Sequence, residues 1–214
     1  MMRRTTMENK ETRAFLCEFE TRQNDEHGTF IEGVPIVFNR ETDLGSWKEI
    51  IDEGALDGAD LRDIRLLVNH DTNQLPLARS RNNNANSTMQ FTVESDGMHM
   101  RADLDVQNNT RAAELYSAVK RGDVSGMSFM FQVNGDKWEN LDEEVPTRHI
   151  TSIGKVYEVS AVTFPAYEAT SVNARSLDCG KASLESARKA LESAKQRTNR
   201  IAELNKKLEE MKND

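Results

Sequence analysis

A serine, a histidine and a glutamate, far apart in the chain, carry the chemistry that this sequence offers most clearly. Ser128 lies in Ser-Gly-Met-Ser-Phe, between an expected helix and an expected strand, where Gly126 allows a close backbone approach. His70 follows the apolar run 64–68, at the end of a predicted strand. A serine with a rigid backbone and an accessible hydroxyl becomes a nucleophile when a histidine takes its proton. Ser128 is thus a candidate nucleophile and His70 a candidate base, although the serine segment departs from Gly-x-Ser-x-Gly and is a weak signal on its own.

Local sequence leaves other roles open for these residues. Taken alone, His70 is more readily a loop residue or a metal ligand than a catalytic base, and Ser125 is a rival serine best explained as a helix-end or turn residue. Glu158 lies in an alternating apolar run, so it either faces solvent on an edge strand or accepts a hydrogen bond from a histidine. The remaining histidines are expected to be structural or solvated: His27, His99 and His149.

Composition narrows the class of protein. The 214 residues include 28 basic and 36 acidic side chains, for a net charge of −8, and the mean hydropathy is −0.69. Nucleic-acid binding requires a concentrated basic surface, so a nucleic-acid partner is not predicted. The chain is long enough for one domain with a sizeable core and an appendage.

The cysteines and the apolar runs give no indication of disulfides, metal sites or membrane spans. Cys17 and Cys179 do not form a disulfide framework, and no Cys/His spacing indicates zinc, so neither a metal nor a cofactor is predicted. No run approaches the roughly 18 apolar residues of a membrane span, and Met1–Lys10 does not resemble a secretory signal. These features predict a cytosolic protein without membrane contact.

The first half of the chain reads as a disordered leader over 1–12, followed by strands. Alternation of apolar residues predicts a strand over 13–20 and another over 29–38, with a bulge or an edge at Gly33 and Pro35. Residues 39–63 are expected to be loop-rich with short helical pieces, before a strand over 64–68. Asp96-Gly97 between two alternating runs, 89–93 and 98–104, predicts a β-hairpin.

The second half begins with a predicted helix over 110–121, capped by Asn109 and ended by Gly122. Strands are expected over 127–133 and 155–164, on either side of a polar linker around Trp138. Residues 181–212 lack Gly and Pro and repeat apolar or small residues at heptad spacing from Leu184. This predicts a helical tail, either a solvated single helix or a coiled coil.

Seven short motifs in a fixed order resemble the prohead maturation proteases of tailed bacteriophages, which are distant relatives of herpesvirus assemblin. Together they cover roughly residues 13–175. The motifs are Phe-x-x-Gly (30–33), Val-Phe-Asn (37–39), Glu-x-x-x-x-Gly-Ala-Leu (49–56), Leu-Leu-Val-Asn-His-Asp (66–71), Pro-Leu-Ala-Arg (76–79), Gly-Met-Ser-Phe (126–129) and Glu-Val-Ser-Ala-Val-Thr-Phe-Pro-Ala-Tyr (158–167). Ala78 stands where many relatives have glycine, which puts no catalytic role in doubt.

The resemblance implies both a site and a fold. His70 matches the family's catalytic histidine, Ser128 its nucleophile, and Glu158 the third position of a Ser-His-Glu triad. The turn 164–167 is the expected place for the oxyanion-hole donors. The implied fold is α+β, a small, mainly antiparallel β-barrel flanked by helices, with a leader (1–12), a protease domain (13–175) and a linker with a helical tail (176–214).

The same resemblance implies a serine endopeptidase of capsid assembly that acts in the host cytoplasm, inside the assembling prohead. Its expected substrates are the scaffold, or the scaffolding segment of the major capsid protein, and the protease itself. Self-association is a further expectation, and self-cleavage near 176–182 would release the tail.

Two competing hypotheses remain from the sequence. One is a non-enzymatic scaffolding protein built on the same fold. The other is a metal-dependent hydrolase that uses His70 and Asp71, although no His-x-x-x-His spacing supports it.

Overall fold

A computed structural model describes residues 10–16, 19–24, 28–163 and 174–210. These ranges contain eleven strands, two α-helices and a short 3-10 helix, so the α+β class is confirmed. The helices are α1 (Thr110–Arg121) and α2 (Ala174–Glu210). The strands are β1 (Lys10–Leu16), β2 (Glu20–Asn24), β3 (Gly28–Val37), β4 (Thr42–Asp43), β5 (Lys48–Ile51), β6 (Arg65–Val68), β7 (Ala78–Arg79), β8 (Met89–Glu94), β9 (Gly97–Asp103), β10 (Gly126–Glu139) and β11 (Thr147–Val162).

The strands form two sheets. The larger sheet has the order β1-β10-β11-β5-β4, and β6 also pairs with β11 and with β7. The smaller sheet has the order β2-β3-β9-β8. Long β11 is the centre of the larger sheet because it pairs antiparallel with β10 and parallel with β5 and β6 at different points along its length. The pairing of the described strands does not close into a ring, so the predicted closed barrel is not confirmed.

Both sheets and α1 contribute to one hydrophobic core. Ile31 and Met100 come from the smaller sheet, Phe129 and Val159 from the larger sheet, and Leu115 from α1. Burial of such aliphatic and aromatic side chains is the main favourable term in folding. Within the described ranges, no helix combines the length and the apolarity that a membrane span needs.

Elements with strong local signals follow the sequence predictions. The β8–β9 hairpin is confirmed, with Glu94 opposite Gly97 at its turn. Helix α1 is confirmed over the predicted residues: the side chain of Asn109 accepts from the backbone N–H groups of Arg111 and Ala112, and Gly122 has φ +78°. The irregularity expected at Gly33 and Pro35 appears as a register shift of β3 against β9.

Three expectations about the elements are wrong. The strand predicted over 13–20 is divided between β1 and β2, which belong to different sheets, and residues 10–12 of the expected leader are part of β1. Residues 39–63 contain β4, β5 and turns rather than helical pieces. The polar linker expected around Trp138 is the second half of β10, whose polar side chains contact a charged cluster described below.

The predicted tail helix is confirmed, but it starts earlier than expected. Helix α2 begins at Ala174, so the boundary predicted at 175 falls inside it. Its first half packs on the larger sheet, with Leu184 9% exposed. Its second half projects into solvent, where Ile201, Leu204 and Leu208 are each more than half exposed.

Candidate active site

Three adjacent elements of the larger sheet bring Ser128, Glu158 and His70 together. Ser128 on β10 lies opposite Ser160 on β11, and Glu158 is two residues earlier on β11. Because side chains alternate along a strand, Glu158 and Ser160 share one face. The parallel pairing of β6 with β11 ends at Val68 opposite Ala161, and this places His70 just beyond the sheet edge beside Ser160.

A left-handed turn directs His70 back over the sheet. Asn69 and His70 have φ values of +51° and +58°, a region that non-glycine residues seldom adopt. Asn69 is held by its backbone N–H, which donates to the carbonyl of Ala161 at 2.9 Å, and by its side-chain oxygen, which accepts from the N–H of Thr163 at 3.0 Å. Strained backbone of this kind persists only where surrounding contacts over-determine it, and it concentrates at functional sites.

The side chains form a continuous series of hydrogen bonds. His70 Nε2 lies 2.6 Å from Ser128 Oγ, and His70 Nδ1 lies 2.5 Å from Glu158 Oε1. Ser160 Oγ donates to Glu158 Oε2 at 2.6 Å and accepts from the backbone N–H of His70 at 3.1 Å. Ser128 and Glu158 are 0% and 3% exposed, while the His70 side chain is 25% exposed. His70 therefore has an open side toward solvent, and its two partners do not.

The hydrogen bonds restrict where the protons can be. An ionised Glu158 only accepts, so His70 Nδ1 carries a hydrogen and Nε2 is free to accept the hydroxyl hydrogen of Ser128. The same hydroxyl can instead donate to the backbone carbonyl of Arg13 on β1, at 2.7 Å. The Ser128 hydroxyl has one hydrogen and cannot donate it both to His70 Nε2 and to the carbonyl of Arg13. When it donates to Arg13, a lone pair of Ser128 Oγ faces His70 Nε2. This arrangement is favourable when the imidazole carries a hydrogen on both nitrogens.

The other candidate residues from the sequence lie elsewhere. His99 is bonded to Asp96 at 2.8 Å, and His149 to Asp52 at 2.6 Å. Ser125 is exposed. His27, Cys17 and the turn 164–167, expected to supply oxyanion-hole donors, lie outside the described residues.

A metal-binding role for His70 has little geometric support, because both ring nitrogens face hydrogen-bond partners. The Asp71 carboxylate accepts from the N–H of Asn73 at 3.0 Å. Within the part of the chain that the structure describes, the grouping of metal-type ligands is Glu94, Asp96 and His99, at the β8–β9 turn.

Comparison with known proteins gives the family. The model of the caudovirus prohead serine protease family matches residues 17–183, which is most of the chain. The chain belongs to this family. It is also similar to the prohead protease of Enterobacteria phage HK97, with 30% identity over 152 residues. That match covers 69% of this chain and 60% of the relative, so the chain spans less than two thirds of the relative's length.

A solved structure is similar as well. The bacteriophage T4 capsid assembly protease matches 72% of this chain and 99% of its own length, at 12% identity and a TM-score of 0.39. The identity and the TM-score are low, so the family assignment depends on the family model alone.

A buried charged cluster fixes β1, the strand beside Ser128, in this family member. Arg13 binds Glu49 on β5 through two nitrogens and also binds Glu11. Arg148 on β11 binds Glu11 and Glu49, and its Nε donates to Asp136 on β10 at 2.7 Å. Local sequence gave no signal for this cluster, because its members come from four separate strands.

The cluster changes the ionisation of its own members. Burial opposes the charge on Glu49, but the charges and hydrogen bonds of Arg13 and Arg148 outweigh it and lower the pKa of this carboxyl. Burial likewise opposes the charge on Arg148, yet Glu11, Glu49 and Asp136 raise its pKa above the ordinary value. Glu49 and Arg148 therefore stay charged near neutral pH, and pairing within the cluster offsets the cost of burying them.

Helix α2 packs against the same region. Ser183 Oγ donates to Asp136 at 2.8 Å and accepts from the indole N–H of Trp138 at 3.0 Å. Trp138 meets Trp47 edge to face, with ring centroids 5.9 Å apart. Gly180 lies so close to Trp47 that an added Cβ would come within 2.5 Å of its ring. The first half of α2 is thus part of the folded body.

Proposed function

We propose that this chain is a serine endopeptidase of phage capsid maturation, with Ser128 as nucleophile, His70 as general base and Glu158 as the carboxylate that orients His70. The observation that carries the proposal is the pair of short contacts at His70, 2.6 Å to Ser128 Oγ and 2.5 Å to Glu158 Oε1. Family membership and the name of the HK97 relative support the same activity.

In the proposed reaction, Ser128 Oγ attacks a peptide carbonyl carbon while His70 Nε2 takes the hydroxyl proton. The C–N bond then breaks, and His70 delivers that proton to the leaving amine. Water, activated by the same histidine, hydrolyses the ester and restores Ser128. Glu158 keeps the hydrogen of His70 on Nδ1 and stabilises the imidazolium that forms.

An oxyanion hole completes the proposal. Two backbone N–H groups of the segment 164–167, which lies outside the described residues, are the proposed donors, because the segment follows the strand that carries Glu158 in sequence. Loss of one such donor typically costs about 10² to 10³ in rate.

The proposed substrates are the scaffold, or the scaffolding segment of the major capsid protein, and the protease itself. The proposed place of action is the assembling prohead in the host cytoplasm. Cleavage there removes scaffold from inside a closed shell, so the enzyme has to be incorporated with its substrates before it acts.

We assign the exposed half of α2 to incorporation or self-association, on the basis of its apolar residues Ile201, Leu204 and Leu208. Deletion of residues 196–214 tests this assignment better than removal of the whole segment after Arg175, because it leaves the contacts of Gly180 and Ser183 intact. We expect the shortened protein to fold and to enter proheads poorly. Normal incorporation would contradict the assignment.

The experiment that tests the function is co-expression with the cognate capsid protein, followed by intact-mass analysis of both chains. We expect wild type and Ser125→Ala to trim the capsid protein, and Ser128→Ala to leave it whole. A fluorophosphonate probe should label wild type at Ser128. Trimming by Ser128→Ala but not by Ser125→Ala would assign the nucleophile to Ser125.

A scaffolding function is the second candidate, supported by the solvent-exposed second half of α2. It makes the opposite prediction in the same experiment: proheads form with wild type and with Ser128→Ala alike, neither protein trims anything, and the probe labels neither. A metal-dependent hydrolase would instead lose its activity on treatment with a chelator.

A further inference from the structure

We propose that Ser160 is a positioning residue, which fixes the Glu158 carboxylate and the His70 backbone in the geometry that proton transfer needs. The inference rests on the proposed function, since it concerns the proposed base and its carboxylate. The hydrogen bonds of the Ser160 hydroxyl go to Glu158 and to the backbone of His70, so it acts through these two neighbours.

The position of Ser160 follows from strand geometry. It lies on β11 two residues after Glu158, so both side chains point to the same face. It is also the residue opposite Ser128 in the β10–β11 register. Ser160 is 0% exposed, so its hydroxyl has only protein partners nearby.

Both hydrogen-bonding functions of the hydroxyl are used within the site. Its single hydrogen goes to Glu158 Oε2 at 2.6 Å, and its oxygen accepts from the backbone N–H of His70 at 3.1 Å. Glu158 Oε1 is bonded to His70 Nδ1 at 2.5 Å. The hydrogen bonds therefore form a closed ring that joins Ser160, Glu158 and His70. The ring contacts the histidine twice, at Nδ1 of its side chain and at its backbone N–H.

The ring of hydrogen bonds fixes the orientation of the Glu158 carboxylate, which the single contact between Glu158 and His70 does not. A carboxylate bonded through one oxygen can still rotate about its terminal bond, while a second bond to the other oxygen fixes its plane. The bond to the backbone N–H holds His70 at its unusual φ of +58°. Misplacement of a proton acceptor by about 1 Å can cost about 10² in rate, so losing the ring should have a large effect on turnover.

Reaction with a fluorophosphonate probe tests the proposal without a known substrate. The Ser128 oxygen–phosphorus bond forms, fluoride leaves, and His70 takes the hydroxyl proton, so the maximal labelling rate reports proton transfer. We expect Ser160→Ala to lower that rate about 100-fold and to leave the half-saturating probe concentration unchanged, because a fully buried side chain does not meet the probe.

Ser80→Ala is the matched control. Ser80 is 1% exposed, and its hydroxyl accepts from the backbone N–H of Ile64 at 3.0 Å, away from the site. The Ser80→Ala variant measures the general effect of deleting a buried serine hydroxyl. We expect its labelling rate to stay within about threefold of wild type.

A double-mutant cycle separates a positioning role from a structural role. In a Glu158→Gln background, we expect Ser160→Ala to lower the rate by less than about threefold more, because His70 without its carboxylate is no longer a competent base, wherever its backbone is held. A further 100-fold loss in that background, or a rate for Ser160→Ala equal to that of Ser80→Ala, would overturn the proposal. If Ser160→Ala is too unstable to assay, Ser160→Cys carries the same expectation, since a thiol leaves no cavity and is only a weak donor and acceptor.

Failure of the proposed function gives a different result. In that case wild type itself is not labelled at Ser128, and its labelling does not exceed that of Ser128→Ala.

Discussion

Replacement of Glu158 by glutamine keeps the size of the side chain and removes one acceptor and one charge. The carboxylate serves two donors, His70 Nδ1–H at Oε1 and the Ser160 hydroxyl at Oε2. Glutamine has one acceptor oxygen for both. When that oxygen faces Ser160, the amide N–H faces His70 Nδ1, and the ring must move its hydrogen to Nε2. Ser128 then has no base.

Two contributions set the size of the effect. A wrong histidine tautomer in a serine protease of known mechanism lowers kcat by about 10⁴. The lost attraction between carboxylate and imidazolium, for unit charges about 4 Å apart at an effective dielectric constant of about 20, is about 4 kcal/mol, which is about 10³ in rate. The tautomer contribution and the charge contribution are not additive, because both act through the imidazole of His70. We therefore expect Glu158→Gln to lose about 10³ to 10⁴.

The assay is the maximal rate of fluorophosphonate labelling, with capsid-protein trimming as a second measure. Asp52→Asn is the matched control, since Asp52 binds His149 Nδ1 at 2.6 Å in a second histidine–carboxylate pair outside the site. We expect the control to stay within about threefold of wild type. A Glu158→Gln variant that keeps more than a tenth of wild-type activity would refute the role assigned to Glu158.

Two further predictions concern the parts that support the site. Glu49→Gln leaves Arg13 buried with one counter-ion fewer, and we expect a loss of about 3–5 kcal/mol in the free energy of unfolding by urea at pH 7. Because the folded pKa of Glu49 lies below its ordinary value of 4.5, its contribution is present above pH 4.5 and is lost as the pH falls through the folded pKa. The stability difference between the variant and wild type should accordingly shrink toward low pH, and a constant difference would contradict this account. Gly180→Ala would favour an isolated helix by about 1 kcal/mol, but the contact with Trp47 should reverse the sign and cost about 1–3 kcal/mol. Tryptophan emission and protease sensitivity of α2 report this change, and a variant more stable than wild type would show that the helix is not closely packed there.

Sequence predicted the elements whose signals are local. The β8–β9 hairpin has Asp96-Gly97 between two alternating runs, and α1 has a cap, an apolar face and a terminal glycine within fourteen residues, 109–122. The break between β1 and β2 was missed because Phe15, Cys17 and Phe19 continue one alternation across it. Residue types alone do not show where a strand leaves one sheet for another.

The site was partly predictable. His70, Ser128 and Glu158 were singled out, but their residue types left several roles open, and only the ordered motif set linked them. Ser160 was not singled out, although its place two residues after Glu158 puts it on the same strand face. The partnership of Arg13 with Glu49 was not predictable, because nothing in either segment indicates which of 36 acidic residues a buried arginine will meet.

The parallel pairing of β6 with β11 also determines when the proposed site can form during synthesis of the chain. His70 precedes Glu158 by 88 residues and Ser128 by 58. At about 5–20 residues per second, a ribosome needs roughly 5–20 s after adding the histidine before it has added the strand that positions it. Until then a growing chain contains the proposed base without the carboxylate proposed to orient it, so the proposed site forms only after β11 has been synthesised.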